Sequence, residues 1–584
     1  MRKKIFITKV VATCLLATIF TTNWGSLGEI FAETVQDAKK LNAIEKQVKK
    51  NGLSEDEELI LTFDGDASIK EIKQATKKFA KSYRVIGGKF KIDENLPKYK
   101  QERLQKYLDN KNYDTIVAVD IKDELKATEA KKIATNCNIK ADYNLGNSEV
   151  VPNAYGSSEP MSDEQYALGK MNVKTAWSTM SRSGYRETYI AVIDTGCDVK
   201  HKEFKGIYLP NYCVNIRSGS NGNYKKLKDM VKPDADGHGT HVSGIIAANS
   251  NNSYGISGIA NANGDNYCRL MAIKSDYRMY DEEDKKWKSY FYTSDLIKAL
   301  QYSISHGADV VNFSLGGYDN YSSAFQTEIN NAKNAGITVV AAKGNDSKDT
   351  TIFSKVENYD NLVKKHYPAD YNNVISVSST NSSNTLSTFS NYGNVDIAAP
   401  GSNILSTIPG NKFQYMSGTS MATPMVTATV GLVVAVNWSG VNAEEIIKYT
   451  AKNLNNTKKY GAGLVDTGWA VQRSKYLDLK DDSEKITSIC ITSAGNVKLK
   501  WTDRGAEEGY CISRSTSKNG TYSRIGYTTF NDDTVFIDKE VTKGKTYYYR
   551  VRGYMYNQHG SGLVDGKSVA YGQYSPIQSI KVIY

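Results

Sequence analysis

Thr188-Tyr-Ile-Ala-Val-Ile-Asp-Thr-Gly196 is the stretch whose reading decides the fold. Six residues of buried-strand type, Thr188–Ile193, run into an acidic residue and a glycine turn. Similar short apolar runs recur at Val310–Phe313, Thr338–Ala342 and Val374–Val377. Between them lie helical stretches at Ser294–His306, with Ser294 as expected cap, and Ser323–Ala335, closed by Gly336. Strands alternating with helices imply βαβ units. The expected fold of 160–475 is therefore α/β, a doubly wound and mostly parallel sheet. The stretch 275–292 (SDYRMYDEEDKKWKSYFY) breaks the alternation and reads as a surface excursion.

Working outward, the chain holds more than one unit. Its 584 residues exceed a single ordinary core. Residues 33–150 mix Lys/Glu-rich helical stretches with short strands, Glu58–Phe63 and Thr115–Val119, and read as a small α+β domain. Ser68 is the expected cap of a helix over Ser68–Lys81, and Asp123–Asn136 reads as another helix. Residues 144–162 are polar and Gly/Ser/Asn-rich, hence a loop or linker. After a charged linker at 475–487, residues 488–584 alternate in the β period. Tyr547, Tyr549 and Val551 should face inward, and Tyr548, Arg550 and Arg552 outward, in a small β-sandwich.

Arg2, Lys3, Lys4 and Lys9 precede the apolar run Val10–Phe20, which is too short to span a bilayer. Residues 1–32 read as a signal peptide cleaved after Ala32. The apolar run Met425–Val436 reads as a buried helix. The net charge of +11 is spread without a block of like charge, which argues against nucleic-acid binding. Seven cysteines in this length make no disulfide framework, and mostly free, buried thiols are expected.

Three short motifs carry chemistry. In the first, Asp194 ends an apolar strand, where α/β sheets place their sites. Alone, it reads as an ordinary turn residue. The second, Asp236-Gly-His238-Gly239-Thr-His241, flanks a histidine with glycines that permit close approach. A zinc pair is disfavoured, because His238 and His241 are three apart with no glutamate between. In the third, Met416-Ser-Gly-Thr-Ser420-Met-Ala-Thr-Pro424, a glycine turn delivers a serine at the start of an apolar helix, whose free N–H groups can face a developing oxyanion. A lone serine there is usually a plain cap. Together the three supply a nucleophile, a base and an orienting carboxylate in the order Asp…His…Ser.

These motifs, with GHGTHVSG and GTSMATPM, resemble those of subtilisin-like serine proteases, the subtilases, over roughly 160–475. The resemblance implies that Asp194 orients His238, His238 acts as general base and then acid, and Ser420 attacks. Val339-Val-Ala-Ala-Lys-Gly-Asn345 resembles the family's oxyanion segment, so Asn345 would donate to the tetrahedral intermediate with the Ser420 backbone. Ser314-Leu315-Gly316 resembles the strand that pairs with extended substrate, and Gly344 would line the S1 pocket. Lys343 departs from the small residue usual at that place and is expected to alter the pocket rim. The resemblance also implies a structural calcium, with Glu203 and Asn251 as ligand candidates, although Glu replaces a shorter Asp there and the loop 249–256 is a residue longer.

By the same resemblance residues 33–150 are a propeptide that assists folding and inhibits, with self-cleavage somewhere within 143–162. Residues 488–584 resemble a fibronectin type III domain, a spacer or cell-surface attachment module. The implied activity is a secreted serine endopeptidase acting on polypeptides, made as a zymogen. The alternatives are an inactive fold used for adhesion and an enzyme of narrow, maturation-type specificity.

Overall fold

The computed structural model describes residues 59–583, apart from 111–112, 122–126, 137–138, 144–145, 149–154, 157–163, 181–184, 221–222, 251, 263–264, 283–284, 319–320, 352–364, 437–441, 482–484, 503–508, 529–533, 557–561 and 565–566. The expected signal peptide, and with it Cys14, lies outside the described residues.

The central sheet has the strand order 397–400, 374–380, 338–342, 310–313, 188–194, 268–274, 214–220, 223–226. All neighbours pair in parallel except the last two, which are antiparallel. Thr188–Asp194 is buried along its whole length, because helices cover both faces of the sheet. The strand order reverses beside it: the chain first goes to the edge strands 214–220 and 223–226, returns to 268–274 on that side, and then crosses to 310–313 and runs outward on the other. Ligand crevices form at such switch points, outside the carboxyl ends of the strands. The pairing of Phe313 with Ile193 sets Ser314 and Asp194 on adjacent strand ends at that crevice.

Thr419–Val436 packs through the core under this sheet. It is long and apolar enough to cross a bilayer, yet 94% of that stretch is buried, in line with the expected core helix. The two helices on the opposite face are Thr293–Ser305 and Ser323–Asn334. Ser294 is not the cap of the first: the helix starts one residue earlier, after Tyr292. The second is capped by Ser322, whose hydroxyl accepts from Phe325 N–H at 3.2 Å.

The N-terminal unit is a four-stranded sheet in the order 80–87, 115–121, 59–63, 140–143. The Ser68 cap forms as expected, with Glu71 reaching back to the Ser68 N–H at 2.7 Å. The helix stops at Thr76, however, and Ala80–Gly87 is a strand that the Lys-rich sequence disguised. The supposed linker contributes two short strands, Gly146–Ser148 and Tyr155–Gly156. The excursion at 275–292 is a hairpin of Tyr277–Asp281 with Lys286–Tyr292, and Gly146–Ser148 pairs onto it. These strands exist because a distant partner offers an edge, which local sequence does not record.

Beyond 485 the chain forms a three-stranded and a six-stranded sheet. Tyr547, Tyr549 and Val551 are buried between them with Trp501, in the alternation read from the sequence. Asp538 ties the sheets together: Arg514 donates to both its oxygens at 2.9 and 2.8 Å, and Tyr549 donates at 2.8 Å. Among the described residues Cys197, Cys213, Cys268, Cys490 and Cys511 are free thiols, and only Cys490 is exposed.

Candidate active site

The strand that opens the α/β region delivers Asp194 to the crevice, 1% exposed. Its Oδ1 accepts Thr195 N–H at 2.7 Å and faces His238 Nδ1 at 2.8 Å. An imidazole so held presents its Nε2 in the acceptor tautomer, the form a general base needs.

His238 is the first residue of the helix His238–Ala247, and the glycines beside it have separate jobs. Gly237 precedes it at φ +99°, a left-handed turn that side chains resist. At Gly239 a Cβ would lie 2.1 Å from Gly196 O and 3.1 Å from Asp194 Oδ1, so only glycine lets the helix approach the Asp194 turn. Asp234 fastens this corner. Its carboxylate accepts Gly237 N–H at 2.8 Å, Thr240 N–H at 2.9 Å, and the Thr195 and Thr240 hydroxyls at 3.0 and 2.6 Å. A carboxylate at a helix N-terminus also favours the helix dipole. His241 is a core histidine: its Nε2 lies 3.1 and 3.0 Å from Ile404 O and Gln414 O, and burial pushes its pKa down to about 3.

Ser420 is the second residue of its helix, buried against the end of the neighbouring strand. Its hydroxyl donates to Ser314 O at 3.0 Å, and the Ser314 hydroxyl donates to Ser420 O at 2.9 Å. Pro424 explains the second bond. Having no N–H, it leaves the carbonyl four residues back without its helical donor, and Ser314 supplies one.

Asn345 follows the strand Thr338–Ala342. Its Oδ1 accepts both Thr419 N–H and the Thr419 hydroxyl at 2.9 Å. That fixes the amide with its NH2 group turned the other way. A Cβ placed at Gly418 would lie 3.1 Å from Asn345 Nδ2 and 3.5 Å from the Ser420 nitrogen, so the two donors flank one small space. Two converging N–H donors beside a serine at a helix N-terminus can hold an oxyanion.

Ser314 and Leu315 are fully buried, and the Leu315 side chain belongs to the core between sheet and outer helices. Ladder pairing in the central sheet ends at Phe313 and resumes at Gly317 on the strand His366–Tyr367. Lys343 does not reach the rim of a pocket. Its side chain is fully buried and turns into the protein, donating to Asp370 Oδ1 at 2.6 Å and Asn394 O at 3.2 Å. Burial lowers its pKa, against the pull of Asp370.

The residues at the implied calcium site do not fit that ion. Calcium takes six to eight oxygens at roughly 2.3–2.6 Å. Both carboxylate oxygens of Glu203 instead face N–H donors, Ile256 N–H at 2.8 Å and Asn252 Nδ2 at 2.8 Å. Burial pushes the Glu203 pKa up to about 7. Among the described residues no group of three or more His, Cys, Asp or Glu gathers to hold a metal. Glu203 thus fastens Asn252 and Ile256 by hydrogen bonds, while Asn251 lies outside the described residues.

Sequence reasoning missed Asp234, Thr419 and Pro424. Pro424 alone left a signal, a proline four residues after the serine.

The comparisons agree with this geometry. Residues 185–463 match the model of the subtilase family. The chain is 34% identical over 324 residues to thermitase of Thermoactinomyces vulgaris, covering 54% of this chain and 100% of that protein. It is 31% identical over 361 residues to the thermophilic serine proteinase of Bacillus sp. (strain AK1), covering 58% and 79%. Among solved structures, the epidermin leader peptide processing serine protease of Staphylococcus aureus superposes with a TM-score of 0.50, covering 71% of this chain and 98% of that one, at 24% identity. That last likeness speaks to the fold alone. The chain belongs to the subtilase family and is a subtilisin-like serine endopeptidase.

Proposed function

We propose that Asp194, His238 and Ser420 are the catalytic triad of an exported endopeptidase made as a self-processing zymogen. The observation that carries this reading is the convergence at one switch point. Asp194, bonded to His238, and Ser314, which accepts from the Ser420 hydroxyl, stand on adjacent strand ends there, and the Asn345 amide is held at the start of the Ser420 helix. His238 Nε2 takes the Ser420 proton as Oγ bonds to the substrate carbonyl carbon. The oxyanion accepts from Asn345 Nδ2 and the Ser420 N–H. His238 then gives the proton to the leaving amine. Water, deprotonated by the same imidazole, releases the acyl group.

Ser420→Ala should lower kcat about 10^6-fold, a magnitude known from subtilisin. Asn345→Ala should cost about 3–4 kcal/mol of barrier, again by that precedent. An Asn345→Ala enzyme with undiminished kcat would remove that residue from the scheme.

The N-terminal unit, residues 33–150, acts as the propeptide. In support, Lys100 and Arg103 both pair with Asp309, and Gln301 exchanges hydrogen bonds with Gly88 at 3.2 and 2.9 Å. Residues 1–32 direct export, and 488–584 form a fibronectin type III-like module that attaches the enzyme to cell surfaces. A Ser420→Ala protein that still loses its N-terminal unit in a protease-free host would contradict self-processing within 143–162.

A further inference from the structure

Gly316 and Gly344 stand on opposite sides of a gap beside the serine. Gly344 immediately precedes Asn345, and Gly316 lies two residues after Ser314, which holds the Ser420 hydroxyl. A substrate whose carbonyl sits against Asn345 Nδ2 and Ser420 N–H must place the side chain of that same residue near this gap. In an enzyme that accepts large residues there, the gap would be open. Here one imidazole spans it. A Cβ built at Gly316 would lie 2.3 Å from His366 Cε1 and 2.8 Å from Nδ1. A Cβ built at Gly344 would lie 2.8 Å from His366 Cδ2 and 2.9 Å from Nε2. The two edges of the same ring therefore face the two glycines.

The ring is also held. The backbone N–H of His366 donates to Asp370 Oδ2 at 2.7 Å and so fixes the main chain that carries the ring, and Asp370 is the partner of buried Lys343. Tyr318 packs edge-to-face on the imidazole, with centroids 5.1 Å apart. Tyr318 in turn donates to Asp346 Oδ2 at 2.6 Å and accepts from Asn391 Nδ2 at 2.7 Å. The Asn391 amide also donates to Lys343 O at 3.0 Å, and it is the nearest atom, at 2.3 Å, to a Cβ placed at Gly344. Swinging the ring away would disturb Tyr318 and Asn391 together. It is fully buried, and it is neutral, because burial and the Lys343 charge push its pKa down to about 4.

We infer that His366 fills the subsite for the residue on the acyl side of the scissile bond, and restricts this protease to substrates with glycine, alanine or serine there. The inference rests on the active-site reading above. A single methylene in a fitted pocket is worth roughly 10–200-fold in discrimination, and a phenylalanine would have to displace a whole ring.

The test uses the processed enzyme with its C-terminal module in place and peptides that differ only at that residue, Ala against Phe. The wild-type enzyme should favour Ala by at least about a hundredfold in kcat/KM. His366→Gly should raise the Phe/Ala ratio by at least about fiftyfold. If that variant does not fold, the cuts made by the wild-type enzyme in a reduced, unfolded protein, mapped by mass spectrometry, decide the matter. Cuts confined to small residues support the inference; cuts after Phe, Leu or Lys as frequent as after Ala overturn it, as does an unchanged ratio in the variant. Labelling of wild-type protein by a fluorophosphonate probe separates the two failures. A labelled enzyme that accepts Phe sinks only the pocket inference, whereas an unlabelled one sinks the active-site reading and the pocket inference with it.

Discussion

Among the described residues two lysine–aspartate pairs are fully buried, and they differ in what lies between the partners. Lys343 and Asp370 both belong to the α/β region, and both side chains are almost wholly inaccessible. Lys100 and Asp309 are equally buried, but Lys100 comes from the N-terminal unit and Asp309 from the start of the strand Val310–Phe313. A buried pair gains little net stability, because attraction must first offset desolvation. Removing one partner is costly, because the other charge stays behind without water. The first pair is subject to that penalty whenever it is broken. The second escapes it if the N-terminal unit leaves, since Lys100 and Asp309 both return to water. Asp309 would also keep its bond from Tyr189 N–H, now at 2.8 Å. If the N-terminal unit is the propeptide proposed above, the same chemistry serves as a fixed rivet in one place and a separable latch in the other.

The largest effect expected is on the rivet. Asp370→Ala leaves the Lys343 charge stranded and should cost about 3–5 kcal/mol in urea unfolding of the Ser420→Ala protein. Replacing both, Lys343→Met with Asp370→Leu, should recover most of that loss. A single substitution that costs under about 1 kcal/mol would break the comparison. On the latch, Lys100→Met should weaken inhibition by the separately added N-terminal unit about a hundredfold. It should leave the melting temperature of the processed enzyme unchanged, since Lys100 is then absent.

The latch should also respond to pH. Gly87 of the N-terminal unit sits directly on Glu328, where a Cβ would lie 2.8 Å from its Oε2. Tyr107 faces it from the same unit, and Asn331 on its own helix donates at 2.9 Å. Burial there raises the Glu328 pKa to about 8. A carboxyl raised on docking binds a proton as the units come together. The docking free energy it supports is complete below the ordinary carboxylate pKa and is lost as pH rises through about 8. Lys100, lowered to about 8, works in the opposite sense, and only above that pH. Between pH 5 and 8 the inhibition constant should therefore rise with pH, by up to about tenfold per unit. Glu328→Gln should flatten that slope. A wild-type slope of zero would remove Glu328 from the latch.

The smallest effect concerns Glu203. Because its oxygens accept N–H donors, a chelator should leave the melting temperature unmoved. A fall of several degrees would restore calcium to the loop 249–256.

What the sequence discloses follows from how local each feature is. Asp194, His238 and Ser420 each sit in a motif that carries its own reason: a strand end, a glycine-flanked turn, a helix start. The parallel sheet was legible from its apolar runs, and the inward Tyr547, Tyr549 and Val551 from their period of two. Features made by distant partners were not. Asp234 acts on Thr195, Thr419 on Asn345, and His366 on two glycines 22 and 50 residues away in the chain. The helix read over Ser68–Lys81 ran past its true end, and the strand Ala80–Gly87 went unread because its pairing comes from Thr115–Ile121. Lys343 read as a rim residue because nothing near it in sequence announces Asp370.

The measurement that bears most directly on the central claim is the intact mass of the purified protein before and after a fluorophosphonate probe. The account predicts a species lacking its N-terminal unit that gains one adduct, on the peptide containing Ser420, and a Ser420→Ala protein that stays full-length and gains none. A processed, folded protein that takes no adduct, or an adduct that survives Ser420→Ala, would contradict it.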